Sequence, residues 1–408
     1  MEQSGTTIVR ANAQRKIFTP IRKISKVPEQ LLKNEKLKAA ISKLPKNYNF
    51  EIAKSVWRIQ EANATLVALQ MPEGLLMFAT TIADIISEFT QAEVIIMGDV
   101  TYGACCIDDF TARIVGVDLL IHYGHSCLIP ITQTSSIKVL YVFVDIEIDL
   151  QHCIETLKLN FNKTVHVALV STVQFIRALQ SVAKKLIEDG YNVTIPQCKP
   201  LSPGEILGCT APTVKCADVI LYVGDGRFHL EAVIIANPNV SVYKYDPYEK
   251  KITKELYQHD HLYEMRKSDI MKASKGNSIG IILGTLGRQG NVRVFNFLHQ
   301  SLQKCGKTTI SILLSEIFPL KLNLFQQVDA FVQTACPRLS IDWGKSFLKP
   351  LLTPYESALL NKQLNWSATE GGERYAMDFY ANDSLGPWTP NHSPNIKRNN
   401  KCCGKCLQ

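Results

Sequence analysis

The length and composition of the chain are those of a folded protein with more than one domain. It has 408 residues, of which 46% are hydrophobic and 20% are charged, so two or three apolar cores can form. This composition excludes a mainly disordered chain. The apolar runs are far shorter than the roughly 20 residues of a membrane-spanning helix, and the first residues lack a secretory signal pattern. We therefore expect a cytoplasmic protein with no membrane contact.

The net charge of +8 is concentrated in the first 55 residues. This segment has twelve Lys or Arg and four Asp or Glu, whereas the remaining 353 residues carry 33 of each sign. A basic segment can steer a protein towards an acidic or RNA-associated partner, but a solvated extension before the first domain explains it as well. We predict a basic N-terminal extension over residues 1–54 and no direct binding of nucleic acid.

From residue 64 onward, short apolar runs rich in β-branched residues alternate with stretches of helical spacing. Helices are predicted over Phe78–Phe89, Val173–Glu188 and Val292–Gly306. This alternation predicts α/β units with parallel strands. The predicted strands are Leu66–Met71, Val94–Val100, Leu119–His122, Val139–Ile146, Val165–Val170, Val193–Ile195, Val219–Val223, Val240–Tyr245, Ile279–Leu283, Ile310–Leu314 and Ala330–Val332.

The predicted elements fall into three blocks of similar size. We expect α/β domains over residues 55–149, 150–262 and 263–383, each near the size of a small three-layer domain. Residues 384–408 contain several Pro and Asn residues and predict a flexible tail. The tail also contains three cysteines in a half metal-site pattern, Cys402, Cys403 and Cys406.

One cysteine in each block lies in a loop close to a predicted strand. Cys105, Cys209 and Cys336 are separated by 104 and 127 residues and lie beside Gly or Pro. Open α/β sheets bind ligands at the carboxyl ends of their strands, so three thiolates can converge where three domains meet. A single buried cysteine is usually only a small hydrophobic residue. Three together favour an iron–sulfur cluster or zinc.

Five motifs resemble one known family. They are Tyr102–Cys105, Ile206–Cys209, Gly224–His229, Gly284–Gly290 and Ala335–Asp342. Together they resemble the diphthamide biosynthesis protein 1 family, which is subunit 1 of the eukaryotic 2-(3-amino-3-carboxypropyl)histidine synthases. The resemblance runs in order from about residue 20 to about residue 390.

The resemblance implies a fold, a cofactor and a reaction. The family fold has three similar α/β domains in a triangular, pseudo-threefold arrangement around a central [4Fe-4S] cluster, and Cys105, Cys209 and Cys336 occupy its ligand positions. S-adenosylmethionine binds at the open iron and is cleaved at its Cγ–S bond after one-electron reduction. The 3-amino-3-carboxypropyl radical adds to C2 of a histidine in elongation factor 2, and methylthioadenosine leaves. A homologous second subunit and a small iron-binding electron donor are the further partners.

Five residues are candidates for contacts with S-adenosylmethionine. Arg288, Gln289 and Arg338 are suited to its carboxylate, because guanidinium and amide groups bind carboxylates in defined geometry. An interdomain salt bridge is an equally good explanation for each arginine. Gly204 and Glu205 are predicted to face the amino group, only because they precede Cys209 closely.

Other ligand-like residues have simpler interpretations. Cys106 follows the family ligand directly and is predicted to pack in a core. His122, His125 and Cys127 end a predicted strand and are more typical of local hydrogen bonding than of a zinc site.

Two other functions remain open from the sequence. One is a non-catalytic subunit of the same complex, whose cluster relays electrons or supports the fold. The other is an iron–sulfur dehydratase resembling quinolinate synthase, which would act alone on small acids.

Overall fold

The computed structural model describes residues 27–99, 103–124, 128–129, 133–135, 137–366 and 374–393. Within these residues three large sheets form, and each sheet falls inside one of the three predicted blocks. Helices connect most of the successive parallel strands in these sheets. The predicted α/β class is therefore confirmed.

The first block carries a sheet of four parallel strands. Its order is Glu93–Met97, Leu66–Gln70, Leu119–Tyr123, Lys138–Val142. The second of these strands is apolar and mostly buried because helices and loops cover both faces. In chain order, residues 27–149, which include part of the predicted extension, contain α1 (Glu29–Leu32), α2 (Glu35–Ile41), β1 (Tyr48–Asn49), α3 (Ile52–Ala62), β2 (Leu66–Gln70), α4 (Glu73–Leu76), α5 (Ala79–Phe89), β3 (Glu93–Met97), α6 (Asp109–Val115), β4 (Leu119–Tyr123), β5 (Lys138–Val142) and β6 (Asp145–Ile146).

The second block carries a mixed five-stranded sheet. In chain order it contains α7 (Leu150–Asn160), β7 (Val167–Ser171), α8 (Ile176–Glu188), β8 (Val193–Thr194), β9 (Val219–Val223), α9 (Phe228–Ala236), β10 (Ser241–Asp246), β11 (Lys251–Glu255) and α10 (His259–Lys275). The sheet order is β11-β10-β9-β7-β8, and only β11 is antiparallel to its neighbour. Helix α10 continues through the predicted boundary at residue 262.

The third block returns to an all-parallel sheet. In chain order it contains β12 (Ser278–Gly284), α11 (Val292–Lys304), β13 (Thr308–Leu314), α12 (Pro319–Leu322), β14 (Ala330–Gln333), α13 (Pro337–Trp343), β15 (Leu351–Leu352) and α14 (Pro354–Leu360). The sheet order is β13-β12-β14-β15. None of the helices in the described part of the chain is long and apolar enough to span a bilayer.

Residues of the predicted N-terminal extension and of the predicted tail pack into the folded protein. Leu37 and Phe50, within the predicted N-terminal extension, are buried in the core under the first sheet. Trp388 and Thr389, within the predicted tail, are also buried. The basic residues before 27 and the three tail cysteines lie outside the described residues.

Each block contacts both of the others. The first two blocks share one hydrophobic core, and the second shares another with the third. The first and third are joined by an ion pair between Asp109 and Arg288. These contacts fit the triangular arrangement and bring the three cysteine loops towards one place.

Candidate functional site

The three predicted cysteines are placed by different local structures. Cys105 lies in a 3-10 turn, Ala104–Cys106, in the loop that follows β3. Cys209 lies in a tight turn within the long loop after β8, where Leu207 and Thr210 exchange backbone hydrogen bonds. Cys336 follows β14 and is the N-cap of α13. All three come from connections on the ligand-binding side expected for α/β sheets.

The structure brings these three thiols together. The hydrogen bond with Cys106 and burial raise the pKa of Cys105 well above the usual value, and the charges of Cys209 and Cys336 raise it further. Burial and then the charge of Cys336 raise the pKa of Cys209 to about 12. Burial also raises the pKa of Cys336. The thiols are therefore close enough for their charges to interact in a site of low polarity.

Cys106 differs from the three candidate ligands. Its residue is buried, whereas Cys105, Cys209 and Cys336 all retain accessible surface. Its sulfur lies 3.9 Å from the sulfur of Cys105 and accepts a hydrogen bond from the Gln289 side-chain amide at 3.3 Å. The predicted packing role of Cys106 fits this environment.

The donor set fits an iron–sulfur cluster better than a single metal ion. In the described ranges no three His, Cys, Asp or Glu side chains are close enough to hold one ion. A cluster makes a different demand, because each thiolate binds a separate iron. Three thiols from three loops meet that demand, and they leave one iron of a four-iron cluster without a protein ligand.

Two buried glutamines hold the first and third cysteine loops. Gln70, the last residue of β2, donates to the Cys106 carbonyl at 3.1 Å and accepts from the Asp108 amide at 3.2 Å. Gln333, the last residue of β14, donates to the Cys336 carbonyl at 2.8 Å and accepts from the backbone amide of Ala335 at 2.8 Å. Each glutamine therefore fixes loop backbone from the end of a rigid strand.

The second cysteine loop is held instead by a segment from the C-terminal region. We call residues 377–382 the strap. Its Phe379 amide donates to the Cys209 carbonyl at 3.3 Å, and its Tyr380 amide donates to the Thr210 hydroxyl at 2.9 Å. The strap thus replaces the glutamine used in the other two blocks.

Arg288 joins the third block to the first cysteine loop. Its guanidinium binds both carboxylate oxygens of Asp109, at 2.8 and 2.6 Å, and the hydroxyl of Ser135 at 3.1 Å. Its backbone amide donates to the Cys105 carbonyl at 3.0 Å. The guanidinium is thus engaged with a protein carboxylate, as the alternative of an interdomain salt bridge predicts, and its contact with S-adenosylmethionine stays a prediction.

Arg338 joins the third block to the second. It binds the carboxylate of Asp342 within its own helix and that of Glu231 across the interface, at 2.6 Å. It also donates to the carbonyl of Gly208, next to Cys209, at 3.3 Å. Because protein acceptors surround this buried guanidinium, it too fits the salt-bridge interpretation.

The other predicted contacts are also inside the protein. Gln289 is buried beside Cys106, as described above. Gly204 has a φ of +82°, and its carbonyl accepts from the Ser171 amide at 2.8 Å. The Glu205 carboxylate accepts from the Ser202 amide at 2.9 Å. Their contacts with S-adenosylmethionine stay predictions, and Gln289 is the one next to the cysteine loops.

His122 lies behind the first cysteine loop. Its Nδ1 is 2.9 Å from the side-chain oxygen of Gln70, which agrees with the predicted local hydrogen bonding. His125 and Cys127 lie outside the described residues.

Comparisons with known proteins identify the family of the chain. The family model described as "Putative diphthamide synthesis protein" matches residues 71–370. The 2-(3-amino-3-carboxypropyl)histidine synthase subunit 1 of Gallus gallus is 54% identical over 393 residues, covering 96% of this chain and 95% of that protein. The protein of the same name from Homo sapiens is 56% identical over 370 residues, covering 90% and 83%. That from Schizosaccharomyces pombe is 52% identical over 379 residues, covering 91% and 86%.

A solved structure has a similar fold. The crystal structure of Dph2 from Pyrococcus horikoshii with a 4Fe-4S cluster aligns with a TM-score of 0.66 and 25% identity, covering 82% of this chain and 97% of that one. The fold, the family model and the long, similar relatives agree with the resemblance seen in the motifs. The chain therefore belongs to the diphthamide synthesis protein family, alongside the synthase subunits 1.

Proposed function

We propose that this chain is the catalytic subunit of a 2-(3-amino-3-carboxypropyl)histidine synthase, the enzyme of the first step of diphthamide biosynthesis. It transfers the 3-amino-3-carboxypropyl group of S-adenosylmethionine to C2 of a histidine in elongation factor 2 by a radical route, and releases methylthioadenosine. One observation carries the proposal: three cysteines, one from each α/β block, meet in a buried site. The similarity to synthase subunits supports it.

The proposed cofactor is a [4Fe-4S] cluster held by Cys105, Cys209 and Cys336. When bound, such a cluster supplies the electron that breaks the Cγ–S bond of S-adenosylmethionine. The three thiols have raised pKa values, so they are protonated at neutral pH without metal. Binding as thiolates must therefore release their protons.

The residues around the cysteines keep the site rigid and apolar. Gln70, Gln333 and the strap fix the three loops. Arg288 and Arg338 hold the third block against the other two. A rigid site places a bound sulfonium in one orientation, and that orientation selects which C–S bond breaks.

The proposed partners follow from the same assignment. A homologous second subunit completes a heterodimer, elongation factor 2 is the protein substrate, and a small iron-binding protein delivers electrons. The proposed location is the cytoplasm, where a reducing environment keeps cysteines available as ligands.

Anaerobic reconstitution tests the function. The chain, its second subunit, elongation factor 2 and S-adenosylmethionine labelled in the aminocarboxypropyl group are combined with dithionite. We expect label on a histidine of elongation factor 2 and methylthioadenosine as the main nucleoside product. Deoxyadenosine as the main product would contradict the proposed bond cleavage.

The same experiment separates the two other candidate functions. A subunit whose cluster only relays electrons predicts that alanine at Cys105, Cys209 or Cys336 leaves label transfer intact, because dithionite can reduce the unchanged second subunit directly. A dehydratase predicts no dependence on the second subunit or on elongation factor 2, and no nucleoside product.

A further inference from the structure

The strap is bound to the Cys209 loop over several residues. The Ala211 amide donates to the carbonyl of Met377 at 2.8 Å, and the Asn382 amide donates to the carbonyl of Lys199 at 2.8 Å. Between them come the contacts from Phe379 and Tyr380 described above. The strap therefore follows the Cys209 loop and has little freedom to move away from it.

Tyr380 is fixed within the strap. It is only 4% exposed, and its neighbours Phe379 and Ala381 are buried as well. Its carbonyl accepts a hydrogen bond from the Asn391 side chain at 3.0 Å, and its amide is held by Thr210. Backbone contacts on both sides thus hold the main chain that carries the phenol ring.

The ring of Tyr380 lies beside the candidate ligands. It belongs to a hydrophobic cluster against which Cys105 and Cys209 pack, one from each of two blocks. Burial and then the charges of Cys105, Cys209 and Cys336 raise the pKa of Tyr380 well above its usual value. A tyrosine hydroxyl can donate a hydrogen bond, and the sulfur atoms of a cluster held by these cysteines can accept one.

We propose that Tyr380 is a positioning residue of the cysteine site. Its O–H group is directed at the sulfur atoms of the bound cluster and raises the reduction potential of the cluster. This inference rests on the proposed function. Hydrogen bonds to cluster sulfurs stabilise the more negative, reduced state, and together with solvent exposure they set the potential. A higher potential makes the one-electron reduction before Cγ–S cleavage easier.

The test compares two buried tyrosines in the full chain with its second subunit, purified anaerobically. Tyr380→Phe removes only the hydroxyl and keeps the ring. The matched control is Tyr222→Phe, because the hydroxyl of Tyr222 is also inside the protein but donates to the Asp225 carbonyl at 3.1 Å. Iron and sulfide content, the midpoint potential and the electron paramagnetic resonance spectrum of the reduced state are measured.

We expect Tyr380→Phe to retain iron, to shift the midpoint potential to a more negative value and to change the spectrum. Methylthioadenosine formation should be several-fold slower at limiting reductant. Tyr222→Phe should match the unchanged protein. An unchanged potential in an iron-loaded Tyr380→Phe variant would overturn the inference and leave the proposed function standing, whereas a parent protein that binds no iron would overturn both.

A second variant covers the case in which Tyr380→Phe does not load iron. Replacing Tyr380 by 3,5-difluorotyrosine keeps the ring and the hydroxyl and makes the O–H a stronger donor. The potential should then move in the positive direction, opposite to the effect of phenylalanine. No movement, or movement in the negative direction, would overturn the inference.

Discussion

Arg288 and Asp109 show how single residues connect the blocks. The Asp109 side chain is completely buried and binds Arg288 through both oxygens. Removing one member of a buried pair leaves the other charge without a partner, and this usually costs more than the pair itself contributes. The pair is therefore a sensitive test of whether the blocks are joined as described.

We expect Arg288→Met to destabilise the folded chain by about 3 kcal/mol, because it leaves the Asp109 carboxylate buried and unpaired. Urea unfolding of the anaerobic protein measures this free energy. The control is Arg177→Met, whose partner Asp145 forms a largely exposed ion pair and whose loss should cost at most about 1 kcal/mol. Equal losses for the two variants would contradict the assignment.

The Asp109 carboxylate also makes the stability of the folded chain depend on pH. Burial alone would raise the pKa of Asp109, but the hydrogen bonds from Arg288 and Ser135 outweigh it and hold the pKa below its usual value. A carboxyl with a lowered folded-state pKa stabilises the protein above its unfolded pKa, about 3.9. That stabilisation is lost as the pH falls through the folded value.

Unfolding free energies should therefore fall in acid less steeply for Asp109→Asn than for the unchanged chain. Urea unfolding at a series of pH values from about 6 down to about 3 measures the two slopes. Identical slopes would show that Asp109 is not held ionised by its partners.

At the scale of elements, the loop after β12 is shaped by its contact with the first cysteine loop. Gly287 has a φ of +54°, and a Cβ at this position would lie 2.5 Å from the carbonyl carbon and oxygen of Cys106. Only glycine allows the two loops to approach so closely. The loop therefore determines where the Cys105 turn sits.

We expect Gly287→Ala to lose most of its iron, because the added methyl group must displace the Cys105 turn. Gly226→Ala is the matched control, since Gly226 also has a positive φ, +62°, but open space around its Cβ position. Both should cost about 1 kcal/mol of backbone strain, measured by thermal unfolding. Similar iron content in the two variants would contradict the proposed role of the loop.

Two of the elements that the sequence did not predict have weak hydrophobic patterns. Strand β11, at the edge of its sheet, has charged residues at three of its five positions, and α10 is mostly polar along its 17 residues. Helix α10 is held in part by Arg266, whose guanidinium binds Glu356 of α14 at 2.6 and 2.7 Å. A contact between residues 90 positions apart has no local signal in the sequence.

The candidate site was also predicted only in part from the sequence. The cysteines stand in glycine- and proline-containing loops near strands, and this local pattern identified them. The roles of Arg288 and Arg338 depend on whether a protein carboxylate or a ligand faces each guanidinium, which only the packed structure reveals. Gln70, Gln333 and Tyr380 gave no signal beyond the ends of apolar runs or a C-terminal segment.

At the scale of the whole molecule, the site exists only when the three blocks are packed together. Each block supplies one of the three candidate thiols, so no block contains a complete set by itself. Cluster binding is therefore a measure of the whole assembly. The central claim is that Cys105, Cys209 and Cys336, and not Cys106, hold that cluster.

The most direct measurement is the iron and sulfide content of the anaerobically purified chain and of its single cysteine variants. We predict about four iron and four sulfide in the unchanged chain, a loss of most of both in Cys105→Ala, Cys209→Ala and Cys336→Ala, and full content in Cys106→Ala and Cys153→Ala. Retention of the cluster by Cys105→Ala, together with its loss from Cys106→Ala, would contradict the account.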